Sequence, residues 1–392
     1  MSAGADALPA VPFGFVLPTA IRFGAGVRAE AGSIAAGIGP RTVLVVGRSF
    51  ERSEVAGEAA ADVIRALEAA GVTIRDRIVG HGEPDDPAVL DAAGRITAAE
   101  ADSVVAVGGG SILDLAKAAA VLPTAERLEA LLAGDRLETG GLPVIALPTT
   151  AGSGAEVSHS AIVTHRGPAR KRGVRGPGVA ARHALVDPEL MTGAPQEVVA
   201  ASGFDAIAHA LETAASRAAS PLVVSLAGIA LPRLLAAVPT VIRDPDDVGA
   251  MTDAAYGAML MGINLANSTT CLPHRLQYPV GARTGTGHAA GVAALMPAWL
   301  ERTASVAPGT LARLARAAGL AREGTTDVDA ARIVVERVLD HLDATGMRHG
   351  LATLGVVPGD LDDLVGAVEG SVANDPGPSA RDDLRALYAA SL

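Results

Sequence analysis

The chain has 392 residues, of which 49% are hydrophobic, 19% charged and 2% aromatic, which excludes a disordered chain and demands a core of Ala, Val, Leu and Ile. A length of 392 residues, at roughly 150 residues per domain, points to two or three domains. The 32 basic against 43 acidic residues give a net charge of −11, a balance that repels nucleic acid and anionic membranes. The single Cys271 excludes an intramolecular disulfide. No apolar run reads as a membrane span, and Met1–Pro12 lacks the charged start and apolar stretch of a signal peptide, so a cytoplasmic protein is expected.

In chain order, Thr42–Val46 reads as a buried strand and Val55–Ala70 has helical spacing. Val72–Ile78 is a second strand, followed by a helix starting near Pro87; Ser103–Val107 is a third strand and Val144–Leu147 a fourth. This alternation predicts βαβ units and a mostly parallel sheet. From about Ala194 the strand signal stops. Helices are expected over Gln196–Ala218, Pro221–Ala237, Val248–Asn267, Ala289–Ala304, Pro308–Ala318, Asp327–Ala344, Leu361–Val368 and Arg381–Ser391. The reading is an α/β domain over 1–193 and an all-helical domain over 194–392, with a cleft between them where a site would lie.

Gly108-Gly109-Gly110-Ser111-Ile112-Leu113-Asp114-Leu115-Ala116-Lys117 follows the third strand and opens a helix. Backbone N–H groups in such a turn approach a diphosphate, and the helix N-terminus favours the anion. The same string also serves as a tight strand-to-helix turn with Ser111 as N-cap. Lys117 favours phosphate, because it and Lys171 are the only lysines in a chain that otherwise uses arginine. The segment Pro148–Glu156 contains Thr149, Thr150 and Ser153; it suits hydrogen bonding to a cofactor and equally suits an ordinary loop. Asp205 and His209, at i and i+4 in a helical stretch, share one face. With His274 and His288 they make one carboxylate and three imidazoles, a donor set for a divalent transition metal. His81, His159, His165, His183, His341 and His349 are read as structural histidines.

Taken together, GGGSILDLAK, PTTAGSGAE, the DPELM segment at Asp187, GFDAIAHALE and the paired histidines resemble the iron-containing (group III) alcohol dehydrogenases. The resemblance implies a dehydroquinate-synthase-like fold, with an α/β dinucleotide-binding domain before a helical one. It implies Fe²⁺ or Zn²⁺ on Asp205, His209, His274 and His288, and NAD(H) or NADP(H) on Gly108, Gly109, Gly110, Ser111, Asp114, Lys117, Thr149, Thr150 and Ser153. Lys171 is near the family's lysine-bearing segment before the DP turn, which suggests a pocket role.

Three departures stand out. Many members carry a proton-relay histidine four residues after the third ligand, where this chain has Tyr278. The usual proline before the fourth ligand is replaced, giving Gly285-Thr286-Gly287-His288. NAD-preferring members carry an Asp after the first strand, where this chain has Gly47-Arg48-Ser49, so Arg48 is a candidate partner of a 2′-phosphate. The basic run Arg166–Arg175 suits either an anionic substrate group or a solvated loop.

The leading expectation is a metal- and nicotinamide-dependent alcohol dehydrogenase or aldehyde reductase for a small polar or anionic substrate, with Tyr278 and Lys171 as catalytic candidates. One alternative is a tailoring dehydrogenase that oxidises a β-hydroxy acid, such as a peptide's C-terminal threonine, with loss of CO₂. Another is a silent binding or scaffold subunit. The partners expected are a small molecule or peptide terminus, no nucleic acid or membrane, and further copies of the chain in a homodimer or higher homo-oligomer.

Overall fold

The structure, a computed structural model, describes residues 12–48, 50, 54–166 and 170–392. The first half runs β1 (Ala20–Phe23), α1 (Ala31–Ile38), β2 (Arg41–Gly47), α2 (Glu54–Ala69), β3 (Thr73–Gly80), α3 (Asp86–Ala98), β4 (Ser103–Gly108), α4 (Gly110–Ala120), α5 (Ala125–Ala133), β5 (Val144–Pro148), β6 (Ser160–His165), β7 (Arg170–Arg175) and β8 (His183–Val186). Six strands pair in the order β1-β8-β5-β4-β2-β3, and every pairing is parallel. β6 and β7 form a separate antiparallel hairpin.

β4 and β5 are buried at every residue, which is why they read as unbroken apolar runs. The period of two divides β2 between two cores. Val43 and Val45 pack with α3 and α4 on one face of the sheet, while Leu44 and Val46 pack with α1 and α2 on the other. Strand order reverses between β2 and β4, so the crevice beyond their carboxyl ends is a topological switch point, the place where open α/β sheets bind nucleotides.

The second half is helical: α6 (Gln196–Ala215), α7 (Pro221–Arg243), α8 (Val248–Asn267), α9 (Leu272–Thr284), α10 (His288–Val306), α11 (Pro308–Ala317), α12 (Asp327–Ala344), α13 (Leu361–Gly366) and α14 (Arg381–Ala390). Its core extends into the first half through Val157, Ala184 and Val186. α6 is buried along most of its length, which makes it a rigid central support for whatever it carries.

The expected strands and helices are present, and the structure adds elements that were not expected, among them the short helices α1 and α5. The short β1 and β8 and the β6–β7 hairpin carry too little apolar signal to stand out; the hairpin holds the basic run. α9 escaped notice because Pro273 opens it and Pro279 interrupts its pattern. α7 continues past Pro239 to Arg243. The expectation that no run reaches membrane-span length is also corrected: α7 is long and apolar enough to cross a membrane by length and composition. In the fold it packs against α6, α8 and α11, so its apolarity serves the helical core.

Candidate metal centre and cofactor cleft

Three helices meet at the floor of a cleft of about 890 Å³ between the sheet's carboxyl edge and the helical half. α6 presents Asp205 and His209, the first turn of α9 presents His274, and α10 begins with His288. Asp205 Oδ1 lies 3.4 Å from His274 Nε2, 3.6 Å from His288 Nε2 and 3.8 Å from His209 Nε2. Donors about 2.1 Å from one ion in tetrahedral array stand about 3.4 Å apart, so these spacings suit a shared cation. Asp205, His209 and His274 cluster tightly and are buried, while His288 completes the set from the more open side.

The donor chemistry fits such an ion. Asp205 Oδ1 and His274 Nε2 are buried without hydrogen-bond partners, a deficit of roughly 1–3 kcal/mol each unless a ligand satisfies them. Burial opposes the Asp205 anion, yet His209, His274 and His288 hold its carboxyl below the usual carboxylate range. Burial pushes His209 down, and it pushes His288 down to about 3. Burial also opposes charge on His274, but Glu212 and Asp205 outweigh it and raise the imidazole to about 10. A divalent cation on His274 Nε2 would have to displace the proton that Glu212 and Asp205 favour on this ring.

Two residues missed at the sequence level orient the imidazoles. His274 Nδ1 bonds the fully buried carboxylate of Glu212, and His288 Nδ1 bonds Gln277 Oε1 at 2.8 Å. Such outer partners fix the tautomer and ring direction of a ligand. Their signal was available in the spacing: Glu212 is one turn beyond His209 on α6, and Gln277 one turn beyond His274 on α9.

The cofactor candidates divide. Gly110, Ser111, Asp114, Thr150 and Ser153 line the cleft. Gly108 ends β4 and accepts from Thr149 N at 3.1 Å, tying the glycine turn to the threonine loop. Gly109, not Ser111, is the N-cap of α4. Gly110 needs its bare Cα, because a Cβ there would stand 2.8 Å from Ser153 Cβ. Gly154, at φ +61°, lets the loop rest directly on α8 at Gly262; a Cβ on Gly262 would come within 2.7 Å of Val157 Cγ2.

The diphosphate role expected of Lys117 is corrected. Its ammonium is buried and donates to Ala155 O at 2.7 Å, Ser158 Oγ at 3.2 Å and the Ser160 carbonyl, beside Asp114 at 3.3 Å. Lys117 thus holds the threonine loop from behind, where only a slender ammonium reaches the converging carbonyls. Arg48 is exposed in the turn after β2, outside the lining of the cleft. Ser49 lies outside the described residues.

Tyr278 and Lys171 both line the cleft. Tyr278 stacks on His288 with ring centroids 6.0 Å apart, and among the described residues its hydroxyl has no hydrogen-bond partner. Lys171 Nζ pairs with Glu83 at 2.6 Å. The Gly285–Gly287 loop is held by its threonines: Thr286 N donates to Thr284 Oγ1 at 3.2 Å, and Thr284 Oγ1 donates to Val280 O at 2.8 Å. Of the histidines read as structural, His341 is buried against Phe204, while His159 Nε2 bonds Ala266 O at 2.6 Å at the edge of the cleft.

Comparison with known proteins bears on the whole chain. Residues 18–188 match the iron-containing alcohol dehydrogenase family model, and residues 199–392 match the family's C-terminal model. The chain is 31% identical to choline dehydrogenase of Bacillus subtilis, with 83% of this chain and 81% of that protein covered. It is 32% identical to 4-hydroxybutyrate dehydrogenase of Cupriavidus necator, with 84% and 86% covered. The fold matches that of an alcohol dehydrogenase from Oenococcus oeni at a TM-score of 0.90, across 97% of this chain and 100% of that one, at 24% identity. The chain therefore belongs to the iron-containing alcohol dehydrogenase family, oxidoreductases that act on CH–OH groups.

Proposed function

We propose that the protein is a cytoplasmic NAD(P)-linked dehydrogenase or reductase that interconverts a small polar alcohol and its carbonyl form. The observation that carries this reading is the convergence of Asp205, His209, His274 and His288 on the floor of a cleft whose other end is the glycine turn. Asn267, Ser268, Thr269 and Thr270 offer hydrogen-bonding groups along the remaining lining, beside the apolar Val16, Ile162, Val198 and Leu265, which suits a small substrate that carries polar groups.

Asp205, His209, His274 and His288 would hold Fe²⁺ or Zn²⁺, and the turn at Gly109–Ser111 with Thr150 and Ser153 would hold the dinucleotide. When bound, the ion supplies a Lewis acid for the substrate oxygen and the nicotinamide supplies or takes the hydride. The chain's own groups do the positioning. The amides opening α4 would meet the diphosphate at the positive end of the helix. Tyr278, stacked on His288 and with no partner for its hydroxyl among the described residues, would offer a hydrogen bond to the substrate oxygen or the cofactor ribose. Lys171, paired with Glu83, fixes the hairpin over the cleft.

The test is an assay of protein loaded with Fe²⁺ or Zn²⁺ against small alcohols and aldehydes, following reduced nicotinamide absorbance with NAD(H) and NADP(H) in parallel. Turnover that disappears with chelator and in His274→Ala supports the reading; a His274→Ala protein that keeps metal and activity refutes it. Arg48→Asp is expected to shift preference from NADP(H) toward NAD(H), and an unchanged ratio would make Arg48 a bystander.

A further inference from the structure

Family membership leaves the charge of the substrate open, since a choline and a 4-hydroxybutyrate dehydrogenase are both relatives. The cleft carries its own information on this point. Most of the basic hairpin run is neutralised locally: Arg166 pairs with Asp85 at 2.6 Å, Lys171 with Glu83 at 2.6 Å and Arg172 with Glu369 at 3.2 Å. Arg136, which also lines the cleft, has Glu138 at 3.5 Å.

Arg175 and Arg275 are different. Both line the cleft, and among the described residues neither has a carboxylate partner. The Arg275 side chain makes one long bond, Nη2 to Thr269 Oγ1 at 3.4 Å, and its Nε is buried without a partner. The two come from separate elements, the end of β7 and the first turn of α9. Gly173 leaves room beside the first of them, since a Cβ there would stand 2.7 Å from Arg175 Nε. Desolvation, then Arg275 and Arg136, hold the Arg175 guanidinium below the ordinary arginine range, with Tyr278 acting against them. Bringing like charges together in a cleft is unfavourable until an anion arrives, and a guanidinium pair matches the oxygens of an oxyanion.

We propose that Arg175 and Arg275 form an anion clamp at the substrate end of the cleft, and that the substrate is a short hydroxy or oxo compound bearing a carboxylate, sulfonate or phosphonate. This rests on the dehydrogenase reading above and names the substrate class of the same site. Arg275 directly follows His274, and Tyr278 is one turn further along α9, a rise of about 5 Å. The anionic group and the reacting carbon are accordingly separated by a short carbon chain. In a protein of net charge −11, long-range electrostatics repel such a substrate, so a local cationic pair is what admits it.

The experiment has two arms. In the first, succinic semialdehyde, sulfoacetaldehyde, phosphonoacetaldehyde and butanal are compared as substrates of the metal-loaded wild type, Arg175→Met, Arg275→Met and the double variant. The wild type is expected to favour at least one acidic aldehyde over butanal, and that one identifies the anion. The ratio of kcat/KM for it over butanal should fall about 10- to 100-fold in each single variant, the scale of a lost charge-assisted hydrogen-bonded pair. Arg275→Lys should recover part of the loss, because it keeps charge without the fork. A wild type that prefers butanal, or an acid preference that survives in the double variant, overturns the clamp. The second arm does not depend on turnover: calorimetric titration with succinate, ethanesulfonate and ethylphosphonate. Binding of one of them by the wild type and its loss in the double variant supports the clamp even if no aldehyde is reduced, a result that would count against the dehydrogenase reading alone. Absence of binding for all three overturns the clamp.

Discussion

Glu212 and His274 are joined inside the helical core: the fully buried carboxylate takes the Nδ1–H of the imidazole with Oε1, while its Oε2 accepts the backbone N–H of Cys271 at 2.7 Å. The carboxylate therefore fixes both the ring and the backbone that opens α9, and it turns Nε2 toward Asp205. Glu212→Gln keeps the volume and removes the charge. Metal affinity is expected to fall about 10- to 100-fold, read as metal retained after dialysis against a graded chelator. Wild-type retention in the variant would mean that Glu212 serves only the helix start.

His274 gives the pH dependence of metal uptake. Its imidazole is raised to about 10, so binding a cation displaces a proton, and affinity should climb by up to about tenfold per pH unit below that value. In chelator-stripped protein the sign is opposite. A basic group whose folded value lies above its ordinary 6.5 contributes stability that is complete below 6.5 and lost as pH rises through about 10. Competition with a chelator and thermal melts of stripped protein across this range check the two limbs. A flat affinity profile would place no proton on His274.

Much of this site was legible in the sequence because its parts are local. Asp205 and His209 share a helix face at i and i+4, and the glycine turn lies directly between a strand and a helix. What could not be read depends on contacts between distant segments. Lys117 resembled a phosphate ligand by its position, yet three groups of the 155–160 segment claim its ammonium. Arg275 was passed over because nothing near it in sequence shows that β7 will bring Arg175 toward it. α9 holds an apolar row at Leu272, Leu276 and Val280, but Pro273 and Pro279 interrupt its helical pattern, and charged residues fill β7 of the hairpin.

Glu156 predicts a stability profile. It is buried beside Lys117, and desolvation, opposed by a backbone hydrogen bond and by Lys117, raises its carboxyl to about 7. An acid raised above its ordinary 4.5 holds its proton longer when folded, so its contribution is complete below 4.5 and lost as pH rises through about 7. Glu156→Gln, which cannot ionise, should be more stable than wild type at alkaline pH, by about 3 kcal/mol at most, and close to it in acid. Thermal melts across the range decide this; parallel curves for the two proteins would show that Glu156 does not titrate there.

Two neighbouring glycines are expected to fail differently. Gly109 has φ −69° and ψ 176°, an ordinary conformation, and a Cβ there would meet only Thr150, at 3.4–3.5 Å. Gly109→Val should therefore fold and keep its metal, while its branched side chain blocks the diphosphate; dinucleotide affinity measured by fluorescence titration is expected to drop at least about 100-fold. Gly110→Ala presses on Ser153 and should lower thermal stability as well. Equal melting temperatures for wild type and Gly110→Ala would remove the steric argument.

Tyr278 decides what replaces the relay histidine. Hydride transfer leaves or requires a proton on the substrate oxygen, so a side chain or water must carry it. The Tyr278 ring stacks on His288 at an interplanar angle of 25°, and its hydroxyl is uncommitted among the described residues. If that hydroxyl only donates a hydrogen bond, Tyr278→Phe should lower kcat less than about tenfold, whereas loss of a positioned acid–base group costs about 10²–10⁴-fold. Tyr278→His restores the imidazole found in many relatives and should sustain or raise turnover of simple alcohols. Steady-state kinetics of both variants across pH, with metal content and cofactor binding measured on the same samples, separate the cases. If both are inactive with metal and cofactor still bound, the tyrosine has a chemical task tied to this enzyme's own substrate. The β-hydroxy acid oxidation would then gain on the simple alcohol reaction, because loss of CO₂ from its β-keto acid product leaves an enolate, which must take up a proton that the Tyr278 phenol can supply.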